Sequence, residues 1–319
     1  MQDKPPETRA LRTPPFSLTT TDGMKSVAAL LTEAEAILRT QGVDTPRLDA
    51  EVLLAHCLGV SRAQLYTRLS AEVSPTDHAV FSQVIGRRAR REPLAYITGV
   101  REFWSLEFHV TPDVLIPRPE TELVVETALR LLARATSNRR QATGCPPALR
   151  ILDLGTGSGC IAVALAKELP EAELWASDSS AAALAVAQEN ARKHGVADRL
   201  HFLQGDGFAP LNKHTAHFDL LVSNPPYISH LDLPALQPEV RDWEPCEALA
   251  GGDDGLDFYR WLIEESPSYL RSGGVLVMEL GAGQSAEVLR LIRAQRNYIE
   301  SASVRDYAGH ERVAVAYRL

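Results

Sequence analysis

From residue 150 onward, short runs of β-branched and apolar residues alternate with helical stretches, and that alternation admits few architectures. The pattern predicts strands at Arg150–Leu154, Glu173–Ser177, Leu200–Gln204, Phe218–Ser223 and Gly274–Leu280. Helices are predicted between them, including Ile161–Glu168 and Ala181–His194, and Val313–Leu319 predicts a last, antiparallel strand. Strands joined by helical crossovers pair in parallel, and a parallel sheet needs helices on both faces. The expected fold is therefore α/β and doubly wound.

The chain before this region follows another rule. Over residues 24–92 apolar side chains recur at three- and four-residue steps, as in Leu30, Leu31, Ala34, Ile37 and Leu38, then Leu48, Val52, Leu53, Ala55 and Leu58. Gly42 and Gly59 stand where helices end, and Pro46 and Pro75 where they start. This predicts a small all-α domain. Arg87, Arg88, Arg90 and Arg91 close it, either as a solvated face or as a docking surface for a macromolecular partner. Residues 93–118 turn to aromatic and β-branched side chains, with Tyr96, Ile97, Phe103, Trp104, Phe108 and Val110 predicting a β-hairpin linker. The α/β domain then occupies residues 119–319, with a helix over Glu120–Ala133 and a polar loop over Thr136–Pro147. Residues 1–23, rich in Pro and Thr, predict a disordered leader.

Composition excludes little but is useful. The formal charge of −8 argues mildly against a duplex nucleic-acid substrate, which wants a basic face. Cys57, Cys145, Cys160 and Cys246 include no C-x-x-C pair and predict reduced thiols. His214 and His217 lie in a polar segment without a carboxylate or thiolate nearby and read as a solvated loop. No apolar run approaches the ~20 residues of a membrane span, and no signal-type stretch opens the chain, so a cytoplasmic protein is expected.

The residues that carry chemistry stand at strand ends. Asp153-Leu154-Gly155-Thr156-Gly157-Ser158-Gly159 joins the first strand to its helix. The dinucleotide fingerprint needs a glycine at 160, where this chain has Cys160, so a pyrophosphate turn fits poorly. Asp178 ends the next strand near the offset of a ribose-binding carboxylate, though it could equally cap the helix after it. Asp206, followed by Gly207, ends the third strand and could accept from an adenine amine. After the fourth strand comes Asn224-Pro225-Pro226-Tyr227. Two prolines leave carbonyl acceptors without neighbouring N–H donors, Asn224 adds an amide oxygen, and Tyr227 offers a flat ring.

This tetrapeptide resembles that of amino-methyltransferases acting on amides and exocyclic base amines. Three further stretches, Pro93-Leu94-Ala95-Tyr96-Ile97-Thr98-Gly99, Arg101-Glu102-Phe103-Trp104 and Leu115-Ile116-Pro117-Arg118-Pro119-Glu120-Thr121, resemble the peptide chain release factor glutamine methyltransferases. So do Arg305-Asp306-Tyr307-Ala308-Gly309 and Arg312-Val313. The resemblance runs from about Lys25 to the end. It implies a Rossmann-like class I methyltransferase domain behind a substrate-docking helical domain, acting as a monomer on release factors without sequence-specific nucleic-acid binding.

By the same resemblance, Gly155, Thr156, Gly157, Ser158, Gly159, Asp178, Asp206, Gly207 and Asn224 would hold S-adenosyl-L-methionine. Asn224, Pro225, Pro226 and Tyr227 would hold the substrate glutamine, with Asn224, Pro225 and Tyr227 catalytic. Family members often carry an aromatic residue where this chain has Gly207, and Phe208 is a candidate replacement. Competing readings are a ribosomal-protein glutamine methyltransferase, an adenine-specific DNA or RNA methyltransferase, a non-catalytic cofactor-binding module and, weakest, a dehydrogenase.

Overall fold

Serines start three of the first four helices for one physical reason: each hydroxyl accepts a backbone N–H that the first helical turn leaves without a partner. Ser26 accepts from Ala29 ahead of α1 (Val27–Thr40), and Ser61 from Gln64 ahead of α3 (Arg62–Tyr66). Ser74 accepts from Asp77 ahead of α4 (Pro75–Ala89). The remaining early helix, α2 (Pro46–Leu58), begins on its proline and stops at Gly59 in the left-handed conformation. The computed structural model from which these features are taken describes residues 24–143, 149–211 and 217–319. The leader expected over 1–23, His214 and Cys145 lie outside those residues.

Two compact units divide at Thr98 and Gly99. The first buries Leu30, Leu31, Leu38, Leu53, Leu54, Phe81 and Ile85 around one core. Its basic cluster is largely paired within the unit. Arg88 is buried, with Nε donating to Asp49 Oδ2 at 2.7 Å and Nη1 to the Glu92 carbonyl at 3.1 Å. Arg87 pairs with Glu92, and Arg91 donates to the carbonyl of Gly42. Of the four, only Arg90 is exposed. Tyr96 and Ile97, assigned above to the hairpin, lie in a one-turn helix, α5 (Leu94–Thr98), set between Pro93 and Gly99. Local β propensity loses there to a proline start and a glycine stop.

The second unit opens with the hairpin of β1 (Val100–Phe103) and β2 (Leu106–His109), turned through Trp104 and Ser105, both at positive φ. Phe103 and Phe108 are buried in the core of this same unit. Helix α6 (Glu122–Thr143) runs ten residues past the expected end at Ala133, because alanine, arginine and glutamine among the residues there favour helix and the first glycine comes only at 144.

The sheet then unfolds as the alternation requires: β3 (Arg150–Leu154), α7 (Cys160–Glu168), β4 (Glu173–Asp178), α8 (Ala181–Lys193), β5 (Leu200–Gln204) and β6 (Phe218–Ser223). After a long loop holding α9 (Pro238–Arg241) come α10 (Asp257–Glu265), β7 (Leu270–Glu279), α11 (Ser285–Ala294), β8 (Tyr298–Arg305) and β9 (Glu311–Arg318). The order across the sheet is β5-β4-β3-β6-β7-β9-β8, with β9 antiparallel to its two neighbours and the other pairs parallel. Successive residues serve opposite faces: Val275 and Val277 join one core, Leu276 and Met278 the other.

Two strands differ from expectation. β7 starts at Leu270 rather than Gly274, because Gly273 and Gly274 sit in an irregularity where the register jumps from Phe218↔Leu270 to Leu220↔Val275. β8 was not predicted. It is an edge strand, and its Ser and Glu residues hide the apolar alternation.

Candidate active site

The strand order reverses between β3 and β6, and in an open α/β sheet a crevice forms at the carboxyl ends of two such strands. Asp153 pairs with Val222 across this point, and Ser223 Oγ donates to the Leu154 carbonyl at 2.8 Å. The glycine turn and the N-P-P-Y turn therefore leave the sheet side by side. A cavity of about 510 Å³ lies between them, within the roughly 300–1,000 Å³ usual for small-molecule sites. Its wall contains Gly155 to Ser158, Asp178, Asp206 with Gly207, and Asn224 to Pro226. Gly159 and Tyr227 are not part of the wall.

Most N–H groups of the glycine turn already have acceptors within the protein. Those of Gly155 and Thr156 donate to the Ser177 carbonyl, each at 2.9 Å, and that of Gly159 to the Thr156 carbonyl at 2.8 Å. The N–H of Gly157, at φ +53°, donates to Asp178 Oδ2 at 2.8 Å. An anion-binding nest needs free N–H groups, so this turn is not a pyrophosphate cradle. Gly159 serves packing: a Cβ there would lie 3.0 Å from Ala187 Cβ on α8.

Asp178 braces as well as faces the cavity, since Oδ1 also accepts the Ser180 N–H at 2.9 Å. The helix cap is Ser180 itself, so Asp178 is not the cap. Asp206 is exposed at the rim. Phe208 does not replace an aromatic at Gly207, because it is buried and stacked on Tyr269 at 4.2 Å. A Cβ on Gly207 would meet the Trp261 ring at 2.3 Å, so Trp261 fills the space a side chain there would take. The aromatic residue in the cavity wall is Phe258, edge-on to Trp261 at 5.5 Å.

In the N-P-P-Y turn, Asn224 Nδ2 donates to Thr121 Oγ1 at 3.2 Å. Among the described residues no donor pairs with the Pro225 carbonyl. Tyr227 is anchored: its hydroxyl donates to Glu279 Oε1 at 3.3 Å, and its carbonyl accepts from Gln284 Nε2 at 2.9 Å. Burial, with the Glu279 charge adding to it, holds the phenol above its ordinary pKa, so Tyr227 stays a neutral donor. Gly251 lies against this backbone, where a Cβ would sit 2.8 Å from Tyr227 Cα and 2.9 Å from the Pro226 oxygen.

Several residues near the site carry roles that the sequence did not assign to them. Asp153, buried at the end of β3, accepts from Thr156 Oγ1 at 2.7 Å and from the Ala162 N–H at 3.1 Å, tying the turn to α7. Burial pushes its carboxyl up to about 7. Arg118 in the cavity wall pairs with both oxygens of buried Glu244, at 2.7 and 2.6 Å. Cys160 also reaches the wall, but burial pushes its thiol up to about 12, which leaves it neutral and unreactive at pH 7. No group of three potential metal ligands occurs among the described residues.

Comparison with known proteins gives consistent matches along the chain. Residues 29–99 match the PrmC N-terminal domain, and residues 125–237 the methyltransferase small domain. A release factor glutamine methyltransferase of Geobacter sulfurreducens is 45% identical over 288 residues, covering 90% of this chain and 95% of its own. One of Moorella thermoacetica is 48% identical over 288 residues, covering 90% and 97%. Among solved structures, the hMettl16 catalytic domain in complex with a MAT2A 3'UTR hairpin superposes with a TM-score of 0.53 at 18% identity. That match covers 74% of this chain and 81% of the other, a likeness of fold alone.

Proposed function

The chain belongs to the release factor glutamine methyltransferases, and from that premise we propose how its residues perform the reaction and on what. The protein is an S-adenosylmethionine-dependent methyltransferase with a Rossmann-like class I fold, and it methylates the side-chain amide nitrogen of a release factor glutamine. The observation that carries the residue assignment is the meeting of two acceptors, Asn224 Oδ1 and the Pro225 carbonyl, with a nucleoside-sized cavity at one switch point.

The cavity suits this cofactor by its donor set. The glycine turn has few N–H groups to offer an anion, whereas Asp178 and Asp206 supply negative charge suited to ribose hydroxyls and a cationic sulfonium. When bound, S-adenosylmethionine supplies an electrophilic methyl group. The side chains of this protein orient the nucleophile. An amide nitrogen is a poor one, because its lone pair is delocalised into the carbonyl. Asn224 Oδ1 and the Pro225 carbonyl each accept one N–H of the substrate –NH₂, which aims the nitrogen and stabilises positive charge developing on it. Tyr227, half-buried and held by Glu279 and Gln284, fixes the turn that carries the two acceptors. The amide proton leaves to water after transfer.

We assign the first helical unit to release-factor docking and the protein to the cytoplasm as a monomer. No helix among the described residues is long and apolar enough to cross a membrane. Transfer of labelled methyl to a purified release factor, a ribosomal protein and an adenine-containing oligonucleotide tests the substrate. Label on the release factor alone is expected. Label on the oligonucleotide instead would overturn the assignment.

Two variants test the two walls. Asp178→Ala removes the carboxylate that would accept the ribose hydroxyls and that now braces Gly157, at about 1.5–3 kcal/mol per charge-assisted bond. Calorimetry should show S-adenosylhomocysteine binding at least ~10-fold weaker. Unchanged affinity would reduce Asp178 to a brace. Gly251→Ala drives a methyl into the backbone of Pro226 and Tyr227. Displacing the acceptors by a fraction of an ångström should lower turnover by up to ~10², with S-adenosylhomocysteine affinity unchanged. Normal turnover would show that the turn has room to give.

A further inference from the structure

Four side chains form a continuous hydrogen-bonded chain beneath the N-P-P-Y turn. Asn224 Nδ2 donates to Thr121 Oγ1 at 3.2 Å, and Thr121 Oγ1 donates to Glu279 Oε2 at 2.6 Å. The other oxygen of Glu279 accepts from Tyr227 Oη at 3.3 Å. Thr121 and Glu279 are each only 2% exposed, one just ahead of α6 and the other at the end of β7.

A hydroxyl has a single proton, and this decides which way the amide of Asn224 faces. An ionised carboxylate offers only acceptors, so it takes the Thr121 proton. Thr121 then has lone pairs alone for Asn224, which must present its NH₂ to Thr121 and turn Oδ1 away. An asparagine amide is nearly symmetric in shape, so half a rotation about its last bond would otherwise be easy. That rotation would bring an N–H donor against the N–H of the substrate and remove one acceptor. We propose that Thr121 and Glu279 are positioning residues that fix the orientation of the Asn224 amide, so that its oxygen meets the substrate amide. The inference rests on the amide clamp described above.

The relay carries a pH dependence. Burial pushes Glu279 up to about 7, opposed by the hydrogen bonds of Thr121 and Tyr227 and by Arg312 on β9, and assisted by Glu120 beside Thr121. Tyr259 on α10 faces it too, with its hydroxyl donating to the Glu279 carbonyl at 3.0 Å, and Cys160 of α7 senses its charge. A protonated Glu279 can donate to Thr121. The Thr121 proton is then free to turn to Asn224 and reverse the amide. The working form is the carboxylate, so kcat should hold above the Glu279 pKa and fall as pH drops through about 7.

The test compares Thr121→Val, Thr121→Ser, Glu279→Gln and Asn224→Ala by kcat at several pH values, with S-adenosylhomocysteine affinity and circular dichroism on each. Thr121→Val should lose up to ~10²-fold in kcat with cofactor affinity unchanged, and Thr121→Ser should recover most of it. Glu279→Gln should be slower and lack the acid limb of the wild type. Thr121→Val at the wild-type rate beside an inactive Asn224→Ala would overturn the relay and leave the clamp standing. An acid limb unchanged from the wild type in Glu279→Gln would also overturn it, since Asp153, likewise pushed up to about 7, would then account for all of it. Full activity in Asn224→Ala would remove the clamp, and the relay with it.

Discussion

Asn224→Ala is expected to lower the methyl-transfer rate by roughly 10²–10³, about 2.7–4 kcal/mol, the usual effect of losing one preorganised group that stabilises developing charge. The variant deletes Oδ1 and leaves the Pro225 carbonyl. The fold should survive, because the residue follows β6 at the cavity wall and its side-chain bond to Thr121 is replaceable by water. S-adenosylhomocysteine affinity should fall modestly at most. Asn224→Asp should do no better than alanine, although it keeps an acceptor of the same size. Its carboxylate cannot donate to Thr121 and would share one hydroxyl proton with Glu279, two like charges contending for one donor. Single-turnover rates at saturating cofactor measure both, and a wild-type rate in the alanine variant would refute the clamp.

The second large effect is on stability. Arg88→Ala should cost the helical unit about 3–5 kcal/mol, because it leaves the Asp49 carboxylate buried without its charge partner. Thr45 Oγ1, at 2.7 Å, would remain as a donor to Asp49 but cannot neutralise it. Set against a typical ~5–15 kcal/mol for a whole domain, this is a large share of what holds the unit folded. Urea unfolding followed by circular dichroism would register it. Replacing the pair with apolar residues, Arg88→Met with Asp49→Leu, should recover most of the loss. Arg90→Ala, on the exposed member of the cluster, should change stability by no more than about 0.5 kcal/mol. A loss below about 1 kcal/mol for Arg88→Ala would contradict the buried-pair reading.

What was legible in the sequence was what is local in the sequence. β3, β5 and β6 fall where the apolar runs predict, because each run is bounded by residues that cannot continue a strand core. The acidic and glycine residues at the strand ends came out of the same reading, since a parallel sheet sends every strand end to one edge. α5 was misread because Tyr96 and Ile97 favour strands in isolation, while Pro93 and Gly99 bracket a single helical turn. The burial of Arg88 was not legible, because charge along a helix says nothing of a carboxylate 39 positions away. Thr121 and Glu279, 158 positions apart, meet only in the folded chain, and no local pattern links them. Gly251 likewise looks like a loop glycine until Pro226 and Tyr227 lie against it.

The central claim is that the methyl group goes to an amide nitrogen held by Asn224 and Pro225. Fragment-ion mass spectrometry of a release factor incubated with the protein and S-adenosylmethionine tests it most directly. The account predicts a single added methyl on the side-chain nitrogen of one glutamine, absent when Asn224→Ala replaces the wild type over the same interval. A methyl group on any other atom, or the same yield from the Asn224→Ala variant, would contradict it.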